Sequence, residues 1–158
     1  MAGGIGQTPF LALANGLRGA RAYGGRRFSH GVEKLTLYYG VRTRELAAGL
    51  DDFAAAGVEV KLSTDDGSAG YRGYVTDLLR KDGPPDLLYG CGPEPMLHAL
   101  TRLAKEWNVR CEVSLETPMA CGVGICFSCV SKVKTEQGWD YRRVCVDGPV
   151  FDANTLEW

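Results

Sequence analysis

No long apolar run interrupts this chain. The longest near the start, Pro9 to Ala14, has no basic region before it and no cleavage site after it, so it reads as neither a signal peptide nor a membrane span. Charge of one sign is also lacking: 18 basic residues stand against 19 acidic ones. The electrostatic footprint of a nucleic-acid binder, or of a protein that rides on an anionic membrane, is therefore absent. There is no internal repeat and no low-complexity tract. A cytoplasmic address is the expectation that remains, with neither nucleic acid nor membrane as partner.

What is present is an ordinary globular composition. At 158 residues, 45% hydrophobic and 23% charged, the chain can bury a core, with room for about one domain and an appendage. One local concentration of charge, Arg18, Arg21, Arg26 and Arg27, is interleaved with Gly19, Gly24, Gly25 and Gly31. It reads as a solvated loop rather than a binding patch.

Cysteine carries the chemistry. Six cysteines in a chain without a secretory signal favour metal or redox roles over disulfides. Four of them, Cys121, Cys126, Cys129 and Cys145, follow C-x4-C-x2-C-x15-C, the ligand spacing of a plant-type 2Fe-2S cluster. Three thiolates within nine residues reach one small cluster only if the backbone wraps tightly, and Gly122 and Gly124 supply the φ/ψ freedom for that wrap. Backbone N–H groups can then approach the sulfurs and offset their charge. Zinc also takes four cysteines but usually by two close pairs, whereas here three ligands cluster and one is remote. Iron–sulfur is the preferred reading and structural zinc the competing one.

Strand-like and helical runs alternate as far as about residue 110. Strands are expected at Lys34–Tyr39, Val58–Leu62 and Asp86–Tyr89, and helices at Thr43–Ala56, Tyr74–Arg80 and Pro93–Trp107. The last of these has Met96, Leu97, Leu100, Leu103, Ala104 and Trp107 on one face. The pattern is that of a parallel sheet covered by helices. Beyond it, Val109–Leu115 alternates as a half-buried strand, and Val130–Lys134 with Tyr141–Val146 form a hairpin about Gln137-Gly138 that returns Cys145 towards Cys129. The expected division is a nucleotide-binding domain over 1–110 and a cluster domain over 111–158.

Gly3-Gly4-Ile5-Gly6-Gln7-Thr8-Pro9 opens the amphipathic segment Phe10–Leu17. A glycine loop at a helix N-terminus offers unpaired N–H groups and a positive dipole end to a phosphate. Such loops also serve as plain turns. A phosphate loop ordinarily follows a strand, and here only Met1 and Ala2 precede it, so the first strand is expected to be missing. A second nucleotide signal is Leu87-Leu-Tyr-Gly-Cys-Gly-Pro-Glu-Pro-Met96, which places Cys91, Gly92 and Pro93 where a strand passes into a helix, the ligand edge of open α/β sheets. The alternative for Cys91 is a small buried residue at a tight turn.

These segments together resemble the electron-transfer subunits of bacterial NAD-dependent dihydroorotate dehydrogenases, within the ferredoxin reductase superfamily. The likeness runs from Gly3 to the end. Its most specific parts are Val113-Ser-Leu-Glu-Thr-Pro-Met-Ala-Cys-Gly-Val-Gly-Ile-Cys126 and Arg143-Val-Cys-Val-Asp-Gly-Pro-Val-Phe-Asp152; Tyr39-Gly-Val-Arg-Thr43 and Thr64-Asp-Asp-Gly-Ser68 support them. The resemblance implies a nicotinamide-binding sheet ending in a small 2Fe-2S domain. It places Gly3, Gly4, Gly6, Gln7, Thr8 and Pro9 against a dinucleotide pyrophosphate, and Cys91, Gly92 and Pro93 near the nicotinamide and flavin rings. Glu116 would face the flavin, and an exposed carboxylate at a strand end accounts for it equally well. Thr64, Asp65 and Asp66 stand where phosphate-preferring relatives carry an arginine, so ribose hydroxyls and NADH are expected rather than NADPH; an acidic surface turn is the plainer account.

The same resemblance implies an N-terminal FAD-binding barrel and a first strand that this sequence does not carry. A truncated start is expected, with FAD held mainly by the missing domain or a partner, and an isolated chain that is poorly stable or self-associates. The expected function is an oxidoreductase component passing electrons from NADH through FAD and the cluster to an FMN-containing dihydroorotate dehydrogenase subunit in a hetero-oligomer serving pyrimidine synthesis, inactive alone. A second reading is the flavin and iron–sulfur subunit of an NAD(P)H:ferredoxin oxidoreductase or sulfide dehydrogenase. A third, of another class, is a zinc-stapled interaction domain.

Overall fold

Period-two apolar runs become buried strands, and the runs spaced at three and four residues become the helices that join them. The computed structural model describes residues 1–27 and 32–158. They divide into two units, Met1–Lys81 and Asp82–Trp158. The position 110/111, expected as a domain boundary, falls within a strand of the second unit.

The first unit contains β1 (Ala2–Gly3), a 3-10 turn (Gly4–Gln7), α1 (Thr8–Leu17), β2 (Thr36–Val41), α2 (Leu50–Ala55), β3 (Glu59–Thr64), β4 (Tyr71–Arg72) and α3 (Val75–Asp82). Its strands run parallel in the order β4-β3-β2-β1. Leu37, Tyr39 and Val41 alternate into the interior from β2 and meet Ala14, Phe53 and Val58 there. Burying a side chain such as Phe53, 1% exposed, is worth about 1.5–3 kcal/mol.

Three differences from the sequence-based expectations have physical causes. The glycine loop does follow a strand, although one of only two residues, whose Ala2 and Gly3 pair with Tyr39 and Gly40. The helix expected over Thr43–Ala56 is broken into a 3-10 turn (Arg44–Leu46) and α2. Between them Ala47 is extended and Gly49 has φ +73. The Tyr39 hydroxyl occupies the break, donating to the Leu46 carbonyl and accepting from the Ala48 N–H, so a buried strand residue replaces the helical ladder. The short strand β4 was not foreseen.

The basic segment behaves as a loop. Arg18 donates to the Gly57 carbonyl at 2.7 Å, Tyr23 and Arg26 form a tight bridge around Gly24-Gly25, and all four arginines are exposed. Gly31, the last glycine of that segment, lies outside the described residues.

The second unit contains β5 (Leu87–Cys91), α4 (Glu94–Trp107), β6 (Arg110–Ser114), β7 (Val130–Thr135), β8 (Gly138–Arg143), α5 (Val144–Asp147) and β9 (Val150–Asp152). Helix α4 starts with Pro95 in its first turn, buries Leu97, Leu100, Thr101, Leu103 and Ala104, and stops at Asn108, which takes the left-handed conformation at φ 55. β5 and β6 pair parallel, β9 pairs antiparallel with β6, and β7 with β8 forms the expected hairpin. The final segment then bonds to β7 through Lys134 to Thr155 and Glu157 to Lys132, tying the hairpin to the rest of the unit. One expectation fails here: residues 144–146, the end of the expected strand Tyr141–Val146, belong to the helical turn Val144–Asp147, so Cys145 sits on α5. No helix of the described residues is long and apolar enough to cross a membrane.

Candidate functional site

The cysteine loop, residues 116–129, has no regular structure and is shaped by hydrogen bonds to sulfur. Cys121 Sγ accepts from the Cys126 N–H at 3.4 Å and the Val123 N–H at 3.5 Å, and the Cys126 thiol donates to it at 3.3 Å. With the backbone bond from Cys126 as the largest cause, these donors bring the Cys121 thiol down to about 6. Cys129 accepts from the Cys145 backbone N–H and thiol, which lowers its own pKa and raises that of Cys145, while the Gly124 N–H donates to the Cys145 sulfur. The Val144 N–H bonds the Cys129 carbonyl at 2.7 Å, and Ser128 Oγ donates to the Pro118 carbonyl at 3.1 Å.

The sulfurs of Cys121 and Cys126 lie 3.3 Å apart, and Cys129 and Cys145 shift one another's thiol in opposite directions, so the four fall into two neighbouring pairs. Two thiolates per metal atom is the arrangement a centre with two metals asks for; a single tetrahedral ion needs all four about one point. The N–H groups already aimed at sulfur suit an anionic centre, so the donor set fits an iron–sulfur group. Cys91 and Cys111 are of another kind. Both are buried, and burial pushes the Cys111 thiol up to about 12 and the Cys91 thiol upward.

Apolar side chains crown the loop. Met119, Val123, Ile125 and Phe127 are 50%, 68%, 82% and 70% exposed, although a solvated turn would ordinarily carry polar residues.

The nucleotide signals fall into two places. In the first unit Gly3 ends β1 opposite Gly40, and Val41 and Thr64 end β2 and β3 as a pair one residue further on, so the loop Gly3–Pro9 and the turn Thr64–Asp66 share the carboxyl edge of that unit's strands. Gly4 has φ +54, Gly6 is buried, and Gln7, Thr8 and Pro9 lead into α1. Thr64 is fully buried and its hydroxyl is already committed, donating to the Ala69 carbonyl at 2.7 Å and accepting from the Ala69 N–H at 3.1 Å. Asp66 accepts from the Ser68 hydroxyl and N–H at 2.6 and 2.9 Å, which holds its carboxyl below the usual range; Asp65 is exposed. Of the three, Asp65 and Asp66 remain able to meet a ligand.

In the second unit Cys91 ends β5, Gly92 turns the chain at φ +151, and Pro93 caps α4. Beside them opens a cavity of about 450 Å³, lined by Gly92, Pro93, Glu116, Thr117, Lys132 and Tyr141 together with Trp158. Lys132, Tyr141 and Trp158 were not singled out from the sequence, because nothing local marks a hairpin residue as the wall of a cavity formed with a distant strand end. The same holds for Arg143, which reaches the cysteine loop by donating to the Gly124 carbonyl at 2.6 Å.

Paired thiols on a glycine-bearing loop, after strands and helices that alternate, define an iron–sulfur module attached to a reductase-like α/β fold. Residues 116–157 match the iron–sulfur cluster binding domain of dihydroorotate dehydrogenase B. Along 98% of its length the chain is similar to proteins named dihydroorotate dehydrogenase B (NAD(+)), electron transfer subunit: it is 39% identical to that of Caldanaerobacter subterraneus subsp. tengcongensis, 39% to that of Shouchella clausii and 40% to that of Geobacillus thermodenitrificans. It spans about half the length of these relatives, 56%, 54% and 54% respectively. Among solved structures, a chain of the NADH-dependent reduced ferredoxin-NADP oxidoreductase, studied for flavin-based electron bifurcation, superposes with a TM-score of 0.77 at 29% identity, covering 99% of this chain and 52% of that one. The resemblance read from the motifs holds, and so does the α/β reductase-like fold.

Proposed function

We propose that the chain is the electron-transfer component of an NADH-linked dihydroorotate dehydrogenase, with a 2Fe-2S cluster on Cys121, Cys126, Cys129 and Cys145. The observation that carries this is the two-and-two grouping of the thiols. The names of the relatives support the assignment. When bound, the three groups supply complementary chemistry: a nicotinamide exchanges two electrons, a 2Fe-2S centre one, and a flavin couples the two.

The chain's own residues then have distinct tasks. The backbone donors at Cys126, Val123 and Gly124 stabilise thiolates and offset their charge. The loop Gly3, Gly4, Gly6, Gln7, Thr8 and Pro9 presents the N-terminus of α1 to a pyrophosphate, and Asp65 and Asp66 accept ribose hydroxyls and repel a 2′-phosphate, favouring NADH. Cys91, Gly92 and Pro93, with Glu116, border the cavity in which rings of the nicotinamide or flavin fit. Residues 1–110 serve nucleotide binding and 111–158 the cluster. The partner is an FMN-bearing dihydroorotate dehydrogenase subunit in a cytoplasmic hetero-oligomer, facing the exposed Val123, Ile125 and Phe127. A second reading, the flavin and iron–sulfur subunit of an NAD(P)H:ferredoxin oxidoreductase, draws on the structural neighbour.

The test is iron, acid-labile sulfide and zinc content of the anaerobically purified chain, with visible spectra before and after NADH. Two irons and two sulfides per chain support the proposal. One zinc and no sulfide would overturn it in favour of a structural domain. Reduction of dihydroorotate dehydrogenase rather than ferredoxin, once flavin is supplied, separates the first reading from the second.

A further inference from the structure

Arg143, two residues before Cys145, makes an interaction within each of the two short intervals between the thiols and another just beyond Cys145. Its Nη1 donates to the Gly124 carbonyl at 2.6 Å, between Cys121 and Cys126. Its guanidinium carbon lies 5.5 Å from the centre of the Phe127 ring, between Cys126 and Cys129. Beyond Cys145, Asp147 Oδ2 accepts from the Arg143 backbone N–H at 2.7 Å and lies 3.8 Å from its Nε. The side chain is only about one-third exposed, so the charge is partly shielded from water.

The Gly124 carbonyl and the Ile125 N–H belong to one planar amide. In a trans peptide the C=O and N–H bonds point in opposite directions, so holding the oxygen sets where the hydrogen points. On either side of this amide, the Val123 and Cys126 N–H groups donate to Cys121 Sγ at 3.5 and 3.4 Å. A charged donor on that oxygen holds the turn more firmly than a neutral one would.

We infer that Arg143 is a positioning residue for the cluster, holding the Gly124 carbonyl and with it the turn whose Val123 and Cys126 N–H groups reach the Cys121 sulfur, and raising the reduction potential of the centre held there. The inference rests on the iron–sulfur reading above. Hydrogen bonds to sulfur and nearby positive charge both favour the reduced, more negative state. Asp147 opposes this with a charge of the other sign.

The test is a redox titration followed by electron paramagnetic resonance on the full chain loaded with iron and sulfide, comparing wild type with R143Q, R143K and D147N. In R143Q the potential is expected to fall so that the ratio of reduced to oxidised cluster at the wild-type midpoint drops about tenfold, 59 mV for one electron. R143K should restore part of the shift, and D147N should move it in the opposite direction. A loaded R143Q within twofold of the wild-type ratio overturns the inference while leaving the iron–sulfur reading intact. If R143Q does not hold the cluster, R143K and D147N decide: loading kept by R143K with an upward shift in D147N supports it, and no shift in D147N overturns it. A wild type that binds zinc without sulfide overturns the functional reading and the inference with it.

Discussion

Replacing Gly124 with alanine should loosen the cluster loop by an amount that can be worked from its surroundings. Gly124 has φ +81, and an added Cβ would lie 2.5 Å from Val146 Cγ2. Holding a side chain in the left-handed region costs about 1–2 kcal/mol, and the overlap with Val146 adds about 1–2 kcal/mol more. Since each 1.4 kcal/mol is about a factor of ten, cluster loss to a chelator should accelerate at least about thirtyfold, followed as decay of visible absorbance. Val146 is 52% exposed, so V146A alone should change little. G124A/V146A should recover the steric share and remain roughly tenfold faster than wild type, the share set by the backbone. A G124A chain as durable as wild type would refute the argument from backbone conformation, and a double variant no better than G124A would refute the overlap with Val146.

Other predictions use different observables. A Cβ at Gly90 would meet Leu100 Cδ2 at 2.5 Å and Val113 Cγ1 at 3.1 Å, so G90A should destabilise the second unit by about 1–3 kcal/mol in denaturant titration; an unchanged midpoint would contradict the packing of β5 beneath α4. In the metal-depleted chain, iodoacetamide labelling of Cys121 should rise through a pH of about 6 and level off, because its backbone donors favour the thiolate. Cys111, buried and pushed up to about 12, should stay unlabelled in the native chain. A Cys121 rate still climbing at pH 8 to 9, like that of an ordinary thiol, would count against those donors. D65N/D66N should narrow the preference for NADH over NADPH by about tenfold in binding titrations, roughly 1.4 kcal/mol; an unaltered ratio would mean that the acidic turn only shapes the loop through Ser68.

Elements that depend on neighbours in sequence were legible in advance. Helix α4 declared itself by the spacing from Met96 to Trp107, and the β7–β8 hairpin by the turn residues between its strands. The expected helix over Thr43–Ala56 failed because its interruption comes from Tyr39, a residue on another element. Thr64 was grouped with Asp65 and Asp66 as a nucleotide contact, yet its hydroxyl is held by Ala69, a commitment that composition does not reveal. Cys145 was expected on a strand and lies on a helical turn, where its N–H and thiol both reach Cys129.

Which thiols can act together is legible from spacing alone, because three of them lie within nine residues and loop closure over so short a span is inexpensive. The alternation of strand and helix is legible likewise, since apolar periodicity is a property of adjacent residues. The division of the four sulfurs into pairs, the reach of Arg143 to Gly124, and the cavity between the end of β5 and the β7–β8 hairpin arise from folding instead. Those arrangements join residues far apart along the chain, and their geometry is set by packing that no local spacing encodes.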